Sequence, residues 1–372
     1  MKRMTNFIGM NKSIFQGFYD LMNEYPREVR LHAPRWISLN DEEKAFCNGL
    51  YLKDFFKLEN GLVSCLIEDS INTDKYFAII GVEKDIEFYS EILIPQSVTK
   101  EFFFRIVCDL AIQPRESSDR YSIENELLFE SRETVGYAGH EYDVVKKYFP
   151  YIHLFKIQEG YVESDMPLIN LTGYFLCEHK EGIGVGYCEE VLVQYKEIFT
   201  LNFETLNYNA LVRSLINIYY KDVFMDIYRC IEYLYKAYNI NEIKKNLKTT
   251  LSLDDVYSTV TSQLGYRFIE SKSINKIFQD MPSSVTTKLR NIELFEEKEE
   301  EEEEKEDGKE AKWFYKIRNS LVHGRRMEKE LQLEEKDWFV LLGVSLEILK
   351  MVHQYAKDHN ISGDFIHQIQ KN

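Results

Sequence analysis

Two patterns of apolar spacing divide this chain. Through the first two hundred residues the apolar positions come in short runs: GLVSCLI at 61–67, YFAIIGV at 76–82, IEFYSEILIP at 86–95 and LINLTGYFLC at 168–177. These runs are rich in Ile, Val, Phe and Tyr and are separated by Asp, Asn, Gly and Pro, which predicts strands. Helices are expected near 11–24, over 41–57 and at 140–149. Gly182, Gly184 and Gly186, in EGIGVGYCE, read as a turn or a bulged edge rather than a phosphate loop. Residues 1–200 are therefore expected to form an α+β domain that senses or recognises a regulatory partner or ligand.

From about residue 202 the period becomes helical. The stretch YNALVRSLINIYYKDVFMDIYRCIEYLYKAYNI has no Gly or Pro, and Val223, Ile227, Cys230, Ile231, Leu234 and Tyr238 recur at threes and fours. In LSLDDVYSTVTSQLG, Ser252 is placed to cap a helix, with Asp255 three residues on and a stop at Gly265. Another helix opens after Pro282. Helices over 310–323 and about 333–357 complete an expected all-α bundle of five or six, spanning 201–372.

Composition refines this picture. Of the 372 residues, 44% are hydrophobic and 29% charged, and no run of about 18 apolar residues appears, so a soluble, cytoplasmic protein with no membrane span and no secretory leader is expected. Six scattered cysteines fit reduced thiols better than a disulfide framework. Cys177, His179 and Cys188 lack an evident fourth ligand for a structural zinc. The net charge of −16 argues against a polyanionic partner until its distribution is seen. Residues 296–307, EEKEEEEEEKED, hold ten acidic residues and two lysines, or −8, so half of the excess sits in a solvated insertion with no apolar residue. A basic site elsewhere is compatible with that charge.

The chemistry concentrates in WFYKIRNSLVHGRR at 313–326. On a helix, Trp313, Phe314, Ile317 and Leu321 face a core, and Asn319 and His323 are stacked at i and i+4. Arg318 lies about 140° round from His323, at about 100° per residue, so one straight helix does not bring the two together. A bent Arg side chain, a loosened helix near Gly324 or a second subunit would do so. Histidine can give or take a proton at neutral pH. Arginine offers a fixed, forked positive charge for phosphorane-like oxygens. Asn319 would orient the imidazole or the phosphate, and Lys316, Arg325 and Arg326 flank the set with charges for neighbouring phosphates. The set needs no metal or cofactor. Arg-x4-His alone is a cheap pattern: Arg27 and His32 repeat it between two prolines, without the adjacent Asn.

In full context, the segment RNSLVHG within a helical C-terminal domain, with an aromatic lead-in and a long apolar helix after it, resembles the HEPN superfamily over roughly 205–360. The resemblance implies a metal-independent endoribonuclease with Arg318, Asn319 and His323 in its site. It also implies a homodimer in which two motif helices share one cleft, acting on RNA in phage defence, toxin–antitoxin systems or RNA processing. It further implies an acidic residue on an earlier helix that braces the arginine, for which Glu232 is the candidate. The acidic insertion departs from the family pattern. A non-catalytic HEPN-like module for dimerisation or RNA binding is the alternative, and a domain that is mainly a regulatory target, its motif silenced by a partner or by modification, a third. The tyrosines of 219–238 would stack on bases or pack in the core, and His353, His359 and His367 are expected to face solvent.

Overall fold

The computed structural model describes residues 6–23, 35–58, 61–82, 90–128, 137–158, 166–179, 185–264, 269–292, 308–323 and 333–371. The chain divides into two compact units, Met1–Leu168 and Ile169–Asn372, a boundary that falls earlier than the change of period expected at 200/201.

The first unit is α+β. In chain order its elements are α1 (Phe7–Asn23), α2 (Asp41–Gly49), β1 (Leu50–Lys57), β2 (Val63–Asp69), β3 (Lys75–Ile80), β4 (Leu93–Gln96), α3 (Lys100–Leu110), α4 (Arg120–Ile123), α5 (Tyr142–Lys146) and β5 (Ile152–Ile157). The strands form one antiparallel sheet in the order β1-β2-β3-β5-β4. The helix expected over 41–57 stops at Gly49. A capping box between Asn40 and Glu43 starts it, and Leu50 turns to extended backbone to open β1.

α3 explains why this unit holds together. Phe102, Ile106 and Leu110 cover Val63, Cys65, Ile67, Ala78 and Leu154 on the sheet. Its other side, with Phe103, Phe104 and Val107, packs on Met10, Ile14, Phe15 and Phe18 of α1. With apolar neighbours on both sides, the helix buries even Arg105, which pairs with Asp109 one turn on at 3.3 Å.

The second unit is helical: α6 (Leu168–Glu178), α7 (Glu189–Leu201), α8 (Tyr208–Ile216), α9 (Tyr220–Asn246), α10 (Leu253–Ser258), α11 (Glu270–Asp280), α12 (Ser283–Thr286), α13 (Lys309–His323), α14 (Glu335–Asp358) and α15 (Gly363–Lys371). α6 corrects an expectation, because LINLTGYFLC is a helix and not a strand. Leu171 to Cys177 are buried on every side, so apolar residues line its whole circumference and leave no period to read. A β-carbon on Gly173 would stand 2.2 Å from the Phe199 ring, so only glycine lets α6 and α7 approach this closely.

The long stretch after 207 is not one helix. Asn217 leaves the helical conformation, and its amide donates to Asp226 Oδ2 at 3.1 Å. Asp226 is buried and also takes both Nε (3.0 Å) and Nη2 (2.7 Å) of Arg213. The six apolar positions expected to line α9 are all buried. Ser252 caps α10 through Asp255 N at 3.1 Å, while Gly265, the expected stop, lies outside the described residues.

α14 packs along α9 and α7. Among the described residues it is the one helix long and apolar enough to cross a membrane, yet Leu341, Leu342, Leu346, Leu349 and Val352 are all buried within the bundle. His353 on this helix is also buried, against the expectation that it faces solvent. Its Nδ1 meets Thr205 Oγ1 at 2.7 Å and its ring stacks on Phe203. Burial pushes its pKa down to about 3, outweighing an opposing hydrogen-bond contribution from the Cys230 backbone. His359 is half-buried and stacks on Tyr355, while the His367 side chain lies outside the described residues.

Candidate active site

α13 follows Gly308, whose φ of +87° lies in the left-handed region that favours glycine. Its rotation is fixed by the aromatic lead-in. Trp313, Phe314 and Ile317 are buried, and Leu321 is half-buried. Phe314 meets three rings: Phe224 at 5.5 Å, Tyr228 at 5.8 Å and Phe278 at 5.4 Å between centroids. Such a cluster of edge and stacked contacts leaves the helix one azimuth.

That azimuth puts Arg318, one turn beyond Phe314, against α9 and the start of α11. Its guanidinium carbon lies 5.6 Å from the centre of the Tyr228 ring. Its Nη2 is 3.4 Å from Glu270 Oε1 and 3.6 Å from Glu232 Oε1. Its Nη1 donates to Asn319 Oδ1 at 2.9 Å. The Tyr228 hydroxyl donates to the same Glu270 oxygen at 2.8 Å. Arg318 thus bridges three helices, with only 16% of its side chain exposed. Its Nε is buried without a hydrogen-bond partner among the described residues.

Arg318 stands between two carboxylates. Burial raises the pKa of Glu232 above the ordinary carboxylate range, and the charge of Glu270 pushes it further the same way. Arg318 and Arg229 pull it back only in part. Burial likewise holds the Tyr228 hydroxyl well above the usual tyrosine range, so it remains a proton donor.

The sequence-derived residues fall into two groups. Arg318, Asn319 and Glu232 come together, with Asn319 bonded to the arginine. Glu270 and Tyr228 join them, and neither stood out in the sequence. Lys316 is exposed. By helical arithmetic it lies about 160° round from Arg318 and within about 20° of His323, so the basic and histidine positions share a face that Arg318 does not. His323 closes the helix, but its side chain, like Arg325 and Arg326, lies outside the described residues, as do Arg27, His32 and the acidic run 296–307. Val322, Tyr233 and Ile269, neighbours of Arg318, Glu232 and Glu270 along their helices, are exposed apolar side chains. Of the other α9 tyrosines, Tyr228, Tyr235 and Tyr238 are buried.

Cys177, His179 and Cys188 are not joined into a ligand set: no group of three His, Cys, Asp or Glu suited to a metal occurs among the described residues. No protein-family model, curated protein or solved structure matches this chain.

Proposed function

We propose that the helical unit is a metal-independent endoribonuclease of the HEPN type, with Arg318 and His323 as its catalytic pair. The observation that carries this reading is the arginine. A motif Arg held between carboxylates of two other helices, five residues before a His at the end of the same helix, is a preorganised cation on the element that also carries a proton carrier. In the reaction a ribose 2′-oxygen bonds to the adjacent phosphorus and the bond from phosphorus to the 5′-oxygen breaks. One proton leaves the 2′-hydroxyl and one reaches the departing 5′-oxygen, giving a 2′,3′-cyclic phosphate and a 5′-hydroxyl. His323 carries one of these transfers, and Arg318 meets the charge that gathers on the non-bridging oxygens. Glu232 and Glu270 position the guanidinium, and Asn319 holds its other edge.

The angular gap between Arg318 and His323 is closed in this reading by a second copy of the chain, whose motif helix supplies the missing half of each site. Exposed Val322, Tyr233 and Ile269 offer that contact apolar surface to bury. Lys316, Arg325 and Arg326 take neighbouring phosphates. The α+β unit would sense a trigger, as suits a cytoplasmic defence or toxin-like enzyme. One observation favours the alternative, a non-catalytic dimerisation or RNA-binding module: Arg318 already faces two carboxylates, so a phosphate must compete for it. Cleavage of RNA in EDTA by wild-type protein and by Arg318→Ala and His323→Ala variants separates the two.

A further inference from the structure

Away from Arg318, α7, α9, α12 and α14, with the end of α11, line an open-mouthed cavity of about 800 Å³, a size suited to a small ligand. Ile198, Met281, Leu346 and Met351 give it an apolar floor. Five carboxylates and two lysines are among its lining residues. The two lysines are committed, Lys350 to Glu197 and Lys245 to Glu242.

The walls already display how they treat ammonium groups. Tyr238 and Tyr355 lie with ring centres 4.4 Å apart. Lys245 Nζ sits 4.8 Å from the Tyr355 centroid and Lys276 Nζ 5.7 Å from that of Tyr238. Both amines also reach Glu242, at 3.0 and 3.4 Å, and the Tyr355 hydroxyl donates to it at 2.8 Å. Two further carboxylates have only neutral partners among the described residues. Asp280 accepts the Tyr238 hydroxyl, and Asp358 accepts Gln354 Nε2 at 2.7 Å.

We propose that this cavity binds an organic polyamine. Its alkyl chain lies along Met351 and the half-buried Tyr355, and its ammonium ends face the exposed Asp280 and Asp358. An anion is disfavoured, because the lining carboxylates outnumber the lysines and both lysines are already paired. An inorganic cation would leave the aromatic and apolar walls unused. The inference is independent of the nuclease reading.

Titration calorimetry of the full chain with spermidine, at physiological salt, tests it. The expected result is one saturable site with a Kd of roughly 0.1 mM. Asp280→Asn combined with Asp358→Asn should weaken it at least about tenfold, and both side chains are exposed, so folding should survive. Met351→Trp, which keeps every charge but fills the floor, should weaken binding as well, with a thermal melt confirming the fold. Citrate should not compete. Three outcomes would overturn the proposal: no saturable binding up to about 10 mM, undiminished binding in the Asn double variant, or undiminished binding in folded Met351→Trp. The last two would mean that spermidine merely condenses on acidic stretches of the chain such as residues 296–307.

Discussion

Glu270 and Arg318 meet at 3.4 Å through an oxygen that also accepts the Tyr228 hydroxyl, so the first turn of α11 fixes a side chain of α13. A partly buried guanidinium that loses such a partner swings or is left short of acceptors. Glu270→Ala should therefore lower cleavage more than binding, by roughly tenfold in rate, and Glu270→Gln should recover part of the loss. Single-turnover kinetics beside RNA-binding titrations check this. Equal rates in all three proteins would mean that Glu270 does not position the arginine.

Glu232 makes a prediction about pH. Its folded pKa is raised above the unfolded value, so the folded state holds its proton more tightly. Stability from this group is greatest below the unfolded carboxylate pKa and is lost as pH rises through the raised one. Glu232→Gln should thus compare more favourably with wild type at pH 7 than at pH 4. The effect is small, because 41% of the side chain is exposed and solvent screens it. Melting temperatures of both proteins at the two pH values decide the sign.

His353 works the other way. Its pKa is pushed down to about 3, so the neutral ring belongs to the fold. The stability tied to it is fully present above the unfolded pKa of about 6.5 and falls as pH drops from there towards 3. His353→Phe, which keeps the stack on Phe203, should cost stability at pH 7 through the lost bond to Thr205 and should flatten the acid limb. Parallel acid limbs in the two proteins would show that His353 carries no such dependence.

How much of this was legible follows from the period of each element. The apolar stripe of α9, the Ser252 cap and the start of α13 were readable because one face is buried and the other solvated. α6 was misread because it is buried all round, and β1 because Leu50–Lys57 continues directly from a well-capped helix. The break at Asn217 left no Gly or Pro; it rests on an Asn side chain reaching Asp226, which is visible only in three dimensions. Glu232 was accessible only through the resemblance, which implies an acidic brace for the arginine, and Glu270 was not accessible at all. It sits at a helix start where an acidic residue is ordinary, and only its contact with Arg318 distinguishes it.

The shared-cleft arrangement predicts complementation. Protomers carrying Arg318→Ala and protomers carrying His323→Ala, each inactive alone, should regain part of the activity when mixed, since one composite site is then intact. Size-exclusion chromatography with light scattering should show a dimer at micromolar concentration. Cleavage by a protein that remains monomeric there would remove the shared cleft.

The acidic run precedes α13 by one residue, and its −8 charge stands near Lys316, Arg325 and Arg326 in sequence. If it competes with RNA phosphates, a Gly/Ser linker of equal length should bind RNA more tightly and cleave faster, with the difference shrinking as salt rises. Unchanged binding and cleavage at low salt would make the run a linker only.

The products of RNA incubated with purified protein in EDTA decide whether Arg318 and His323 form a nuclease site. The expected products end in a 2′,3′-cyclic phosphate or its opened form, with a loss of at least about a hundredfold in rate for Arg318→Ala and for His323→Ala. Full activity in both variants, or cleavage strictly dependent on a divalent metal, would contradict it.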